Sequence, residues 1–322
     1  MMRAVRVSEP GGPEAMSLER VDVPEPGHGE VRVRVVAAGV NFVDVYFRSG
    51  LYPASPPFTP GMEAAGLVDA IGPGVTEVAE GDQVAYTGTL GAYAEYTIVP
   101  APQLVAVPSD LELETAAAIM LQGMTAHYLA TSTYALGPDD TALVHAGAGG
   151  VGLLLTQIAK RRGATVYTTV STDEKAALST GAGADHVIRY TEVDFAERVA
   201  ELMPGGVDVV YDSVGRDTFD RSLDCIRPRG LAVLYGQSSG PVDPVDPQRL
   251  NAAGSLYLTR PKLANYTANP HELASRATDL FDWVRDGDLA VRIGEAHPLE
   301  EAATAHRRLE GRETTGKVLL TT

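Results

Sequence analysis

Gly147-Ala148-Gly149-Gly150-Val151-Gly152 places three glycines in the spacing G-x-G-x-x-G. The run follows an apolar segment, Thr141-Ala142-Leu143-Val144-His145, and opens an amphipathic one, Leu153 to Arg162. A strand, a tight turn and a helix in that order let the backbone approach a pyrophosphate and let the helix N-terminus face it. A second strand runs from Thr165 to Val170. Its tip is where a carboxylate would accept from a bare ribose 2'-hydroxyl. Val170-Ser171-Thr172 and then Lys175 stand there instead, and hydroxyl donors beside an ammonium suit a 2'-phosphate. The expected cofactor is NADP(H). Asp173 lies one step beyond the tip, where an acid favours the start of the next helix.

Other chemistries find little support. Cys225 is the only cysteine, so neither an intrachain disulfide nor a cysteine-built metal site is available. The seven histidines are scattered without metal-ligand spacing such as H-x-x-x-H, His145 in a strand and His127 in a helix among them, and read as core or surface residues. No G-x-S-x-G elbow is present, and Asp212-Ser213 reads as the end of a strand near the cofactor rather than a nucleophile.

The elements that position these residues change character along the chain. Short strands broken by Pro-Gly turns fill the first third: Met2 to Val7, Val31 to Ala38, Gly66 to Ile71, Gln83 to Tyr86 and Ala92 to Ile98. Helices are expected from Glu114 to Leu121 and from Thr125 to Tyr134. Strand and helix then alternate up to the strand Leu231 to Tyr235, which implies a parallel sheet covered on both faces. The tail predicts helices from Pro270 to Arg285 and from Pro298 to Leu309, then a strand, Gly316 to Leu320, able to return to the first domain. With 26 Lys plus Arg against 42 Asp plus Glu, the net charge of -16 repels phosphate backbones, so no nucleic acid partner is expected. No apolar run approaches a membrane span, and the expected compartment is the cytoplasm.

These blocks resemble the medium-chain dehydrogenase/reductase superfamily, and within it the zinc-independent NADPH:quinone oxidoreductases related to zeta-crystallin. The resemblance covers nearly the whole chain. It is carried by Ala37-Ala38-Gly39-Val40-Asn41-Phe42-Val43-Asp44, Arg48-Ser49-Gly50-Leu51-Tyr52, the glycine loop, Tyr211-Asp212-Ser213-Val214-Gly215, Gly254 to Pro261, Ala305-His306-Arg307 and Thr315-Gly316-Lys317. It implies an α/β protein: a GroES-like β domain from residues 1–123 and 261–322, and a Rossmann doubly wound parallel sheet domain, 124–260, that binds NADP(H). A homodimer is implied as well. Residue by residue it puts Lys175, Tyr190 and Arg312 near the adenosine 2'-phosphate. Asn41, Thr125, Gln237, Ser238 and Ser239 fall at the nicotinamide end, with Gly147, Gly149, Gly150, Val151, Gly152, Ser171 and Ser213 also on the cofactor.

Zinc enzymes of the superfamily hold a Lewis acid with Cys and His ligands. Here Met62 occupies the usual histidine position, so no metal is expected, and hydride transfer to an already electrophilic quinone is favoured over alcohol oxidation. Asn41, Tyr46 and Tyr52 are expected to line the quinone pocket. A neutral tyrosine hydroxyl donates to the developing phenolate, and Asn41 orients a ribose or substrate carbonyl. The alternatives are reduction of an α,β-unsaturated carbonyl, or NADPH or RNA binding without turnover.

Overall fold

The computed structural model describes all 322 residues, Met1 to Thr322. They pack as two compact units, Met1–Met124 with Tyr266–Thr322, and Thr125–Asn265. No helix is long and apolar enough to cross a membrane.

The first unit opens with β1 (Met2–Val7), β2 (Met16–Val21) and β3 (Glu30–Val40), followed by α1 (Phe42–Arg48), β4 (Glu63–Ile71), β5 (Gln83–Thr87), β6 (Tyr96–Pro100) and β7 (Leu104–Ala106). In β3 the alternation Val31-Arg32-Val33-Arg34-Val35 buries each valine, contributing about 1.5–3 kcal/mol apiece. Arg32 meanwhile reaches Asp69 on β4 at 2.6 Å. The segment from Ala92 is strand only from Tyr96 onward, because Gly91 to Glu95 turns to meet Arg3, Val5 and Gly61 through its backbone.

Helix α2 (Leu113–Tyr128) is continuous where a break had been expected near Gly123, and it ends in a π turn, Leu129–Thr133. Gly123 does not interrupt it. A Cβ there would stand 3.2 Å from Leu280 Cδ1 and would collide with Ile119, so this glycine serves close packing rather than termination.

The second unit alternates β8 (Thr141–Val144), α3 (Gly150–Arg161), β9 (Thr165–Val170), α4 (Asp173–Gly181), β10 (His186–Arg189), α5 (Phe195–Leu202), β11 (Val207–Asp212), α6 (Phe219–Asp224), β12 (Ile226–Leu234), α7 (Pro247–Ala252) and β13 (Tyr257–Thr259). Its six strands are all parallel and run β10-β9-β8-β11-β12-β13 across the sheet. That is the doubly wound Rossmann order, with its switch between β8 and β11.

The tail supplies α8 (Pro270–Arg285), β14 (Ile293–Pro298), α9 (Ala302–Glu310) and β15 (Lys317–Thr321) to the first unit. Strand β15 pairs antiparallel with β3, setting Val318 opposite Val40 and Leu320 opposite Ala38. The last strand therefore does return to the N-terminal sheet, and Leu299, Ala302, Ala305, Val318 and Leu320 share one core with Val31, Val33 and Val35. The expected helix from Pro298 begins as a 3-10 turn, Leu299–Glu301, and becomes α only at Ala302.

Candidate functional site

In the second unit the glycine loop joins β8 to α3. A Cβ on Gly152 would strike the Ala146 carbonyl, one on Gly147 would lie 2.6 Å from Thr168 Cβ, and Ala146 itself has φ +55°. The turn is thus as tight as the motif requires. Gly149 is the N-cap of α3 and supplies no side-chain cap, so no side chain of its own answers the first-turn amides around Gly150, Val151 and Gly152, the arrangement that receives an anion. The loop's floor is a buried polar chain: His145 lies 2.9 Å from both Thr169 Oγ1 and Ser222 Oγ, and Ser222 donates to Asp212 Oδ2 at 3.0 Å. Burial holds His145 below its ordinary pKa, so it is neutral there, as befits a core residue. Asp212 also accepts from the amides of Val214 and Gly215, at 2.8 and 3.0 Å, and from Thr218 Oγ1 at 2.8 Å.

At the tip of β9, Ser171 and Tyr190 are brought side by side, since Tyr190 N donates to Val170 O and Thr191 Oγ1 to Ser171 O. Thr172 caps α4 by accepting from Lys175 N at 3.2 Å. Asp173 sits in the first turn of that helix and pairs with Arg189. Beyond β11 and β12, the amides of Ser238 and Ser239 donate to the carbonyls of Ser213 and Val214, and Gln237 O accepts from Gly240 N, which gathers Ser213, Gln237, Ser238 and Ser239. Thr125 is buried in α2. Arg312 belongs to the other unit, exposed just after α9 with φ +58°.

In the first unit Asn41 is the N-cap of α1, Tyr46 is buried on that helix, and Tyr52 follows it. The Tyr46 and Tyr52 rings meet edge to face at 5.2 Å, and Phe47 stands against Tyr52 at 5.7 Å. Asn41 is embedded in a cluster that sequence reasoning did not anticipate. Glu63, first residue of β4, and Lys317, first residue of β15, form a fully buried ion pair beside it. Lys317 Nζ also donates to Asn41 Oδ1 at 3.0 Å, Asn41 Nδ2 donates to Glu63 Oε1 at 2.7 Å, and Leu121 N donates to Glu63 Oε2 at 2.6 Å. Gln122 Nε2 completes the set by donating to Asn41 Oδ1 at 3.1 Å. Gly39 makes the room, because a Cβ there would collide with Glu63 Oε1 and Lys317 Cε. Burial draws the Lys317 ammonium down to about 7, against the opposing attraction of Asp44.

A second buried chain reaches the same helix. Arg48 grips Glu310 with two bonds, at 2.8 and 2.9 Å, and approaches His306 Nδ1 at 3.1 Å. A guanidinium only donates, so Nδ1 is the bare nitrogen and Nε2 carries the proton. His306 Nε2 therefore donates to Tyr93 Oη at 3.1 Å, and Tyr93 donates to Asp44 Oδ2 at 3.0 Å. Asp44 reaches back to the Asn41 amide at 2.8 Å and caps α1. Burial raises the Asp44 carboxyl to about 7 and lowers His306 to about 3. What sequence offered for these groups was a lone charge opening an apolar strand, as in Glu63-Ala64-Ala65 and Lys317-Val318-Leu319.

No group of three or more His, Cys, Asp and Glu side chains is gathered as a metal site would need; Met62 precedes Glu63, and Cys225 lies buried in the other unit.

Residues 27–109 match the family model described as an alcohol dehydrogenase GroES-like domain, and residues 182–320 match that of a zinc-binding dehydrogenase. The chain is 46% identical to a quinone oxidoreductase of Pseudomonas aeruginosa, over 99% of each protein. It is 44% identical to a 2-haloacrylate reductase of a Burkholderia species, again over 99% of each. Among solved structures, Escherichia coli quinone oxidoreductase complexed with NADPH superposes with a TM-score of 0.97 at 42% identity, covering 99% of this chain and 100% of that one.

Proposed function

Because the chain belongs to the quinone oxidoreductase family of the medium-chain dehydrogenase/reductase superfamily, we propose that it is an NADPH-dependent quinone reductase working without a metal ion. The observation that carries the reading is the glycine loop at the uncapped start of α3, set on the outer end of β8 beside the switch in strand order. A pyrophosphate fits there because the glycines keep side chains out of the turn and no side chain caps the start of α3. When bound, NADPH supplies the hydride. Gly147, Gly149, Gly150, Val151 and Gly152 hold the pyrophosphate. Ser171, Lys175, Tyr190 and Arg312 are assigned to the 2'-phosphate, and Thr125, Ser213, Gln237, Ser238 and Ser239 to the nicotinamide end.

On the first unit, Tyr46 and Tyr52 offer an aromatic wall and hydroxyl donors to the oxygen on which negative charge develops. Asn41 shapes the site from the N-cap of α1, and the tethered Glu63 and Lys317 keep it in place. The exposed edge strand β13, carrying Tyr257 at 64% exposure, supports a homodimer. The single buried thiol fits a reducing cytoplasm.

The test follows loss of reduced nicotinamide absorbance with NADPH or NADH against benzoquinone, naphthoquinone and phenanthrenequinone. Rapid turnover favouring NADPH, with Lys175→Ala raising KM for NADPH about tenfold and leaving that for NADH nearly unchanged, is the expected outcome. NADPH binding without quinone turnover would refute it. The 2-haloacrylate reductase relative favours one second reading, reduction of an activated carbon–carbon double bond, so 2-chloroacrylate belongs in the same assay.

A further inference from the structure

The donor and acceptor roles around Asn41 fix which atom of Gln122 is left over. Lys317 can only donate, so the Asn41 atom it meets at 3.0 Å must be the carbonyl oxygen. Glu63 accepts from Lys317, from Leu121 N and from Asn41, so the Asn41 atom facing it at 2.7 Å must be the amide nitrogen. This fixes the Asn41 carboxamide in one orientation and occupies both of its ends. Gln122 then has no choice either. The end that meets Asn41 Oδ1 at 3.1 Å must be its NH2, which turns its carbonyl away. That carbonyl, Gln122 Oε1, is buried and has no hydrogen-bond partner. A buried acceptor without a partner costs about 1–3 kcal/mol, and it stands on a residue held in place through its NH2 by Asn41.

We infer that Gln122 is a cofactor-binding residue whose Oε1 accepts a hydrogen bond from a ribose hydroxyl or the carboxamide N–H of the nicotinamide riboside. The chemistry of the ligands selects this partner. Oxidised quinones and haloacrylates present acceptors to such a carbonyl, whereas the nicotinamide riboside presents hydroxyl and amide donors. The assignment moves the free carboxamide from Asn41, whose two ends are engaged, to its neighbour. Asn41, Lys317 and Glu63 become the frame that aims Gln122. The inference rests on the reading that Asn41 lies at the nicotinamide end of bound NADPH.

The experiment titrates NADPH and adenosine 2',5'-bisphosphate, which lacks the nicotinamide riboside, into the full chain carrying Gln122→Leu or, should that variant fold poorly, Gln122→Met. The expected result is a Kd for NADPH raised about 3- to 10-fold, the worth of one hydrogen bond, with the Kd for the adenosine fragment and the KM for quinone unchanged. An unchanged NADPH Kd overturns the inference. So does an equal loss for both ligands, the mark of a merely structural role, or a rise confined to the KM for quinone. Wild-type protein that binds NADPH but reduces no quinone would sink the proposed reaction while leaving Gln122 its role.

Discussion

The Lys317 ammonium, 1% exposed, persists in the core because the Glu63 carboxylate and the Asn41 carbonyl answer it. Removing one partner of such a pair strands the other charge, which typically costs about 3–5 kcal/mol. Lys317→Met is therefore expected to lower unfolding free energy by that amount in urea, and adding Glu63→Gln to it should restore much of the loss. A double variant as unstable as the single one would show that the pair is not the source. None of this could be read from the chain order. The three residues lie at positions 41, 63 and 317, and only the register of β15 on β3 and of β3 on β4 makes them neighbours. The strand–turn–helix of the glycine loop was legible because it is local: one strand end, one turn and one helix start within a dozen residues.

The elements that carry sequence-visible periodicity lie where the alternation of apolar residues put them, and those defined by packing do not. Strand β3 and the helix α8 follow their patterns, while α2 runs through Gly123 because that glycine makes room for the side chains of Ile119 and Leu280. Helix α9 contributes an element-scale sensitivity to acid. It carries His306 between Arg48 of α1 and Tyr93, where burial holds the ring neutral down to about pH 3, whereas the unfolded chain protonates it near 6.5. The unfolded state then binds the extra proton across that interval, so stability falls as pH drops from 6.5 towards 3. His306→Gln keeps an acceptor and a donor but cannot titrate. Chemical denaturation at a series of pH values should give a shallower fall for this variant than for wild type, and parallel curves would locate the acid sensitivity elsewhere.

For the whole molecule, the alternation of strand and helix already implied a parallel sheet, and the order β10-β9-β8-β11-β12-β13 realises it. How the tail would join the first sheet was visible only as a strand in need of a partner. The edge of the parallel sheet bears on assembly. If β13 mediates a homodimer, sedimentation should give twice 34.0 kDa for the wild type and 34.0 kDa for Tyr257→Asp; a wild-type monomer at micromolar concentration would remove the proposal.

The discontinuity of the first unit also has a meaning in time. A ribosome delivers Glu63 well before Lys317, 254 residues later, and at about 5–20 residues per second the wait is roughly 13–50 s. The whole second unit emerges in between and can fold while its neighbour is still unfinished. Through that interval β3 lacks the strand that will flank it, and the carboxylate destined for the core must stay hydrated or be sheltered by a chaperone. Synthesis thus completes the parallel-sheet unit first, and the unit bearing Asn41 gains its last strand only when β15 is made.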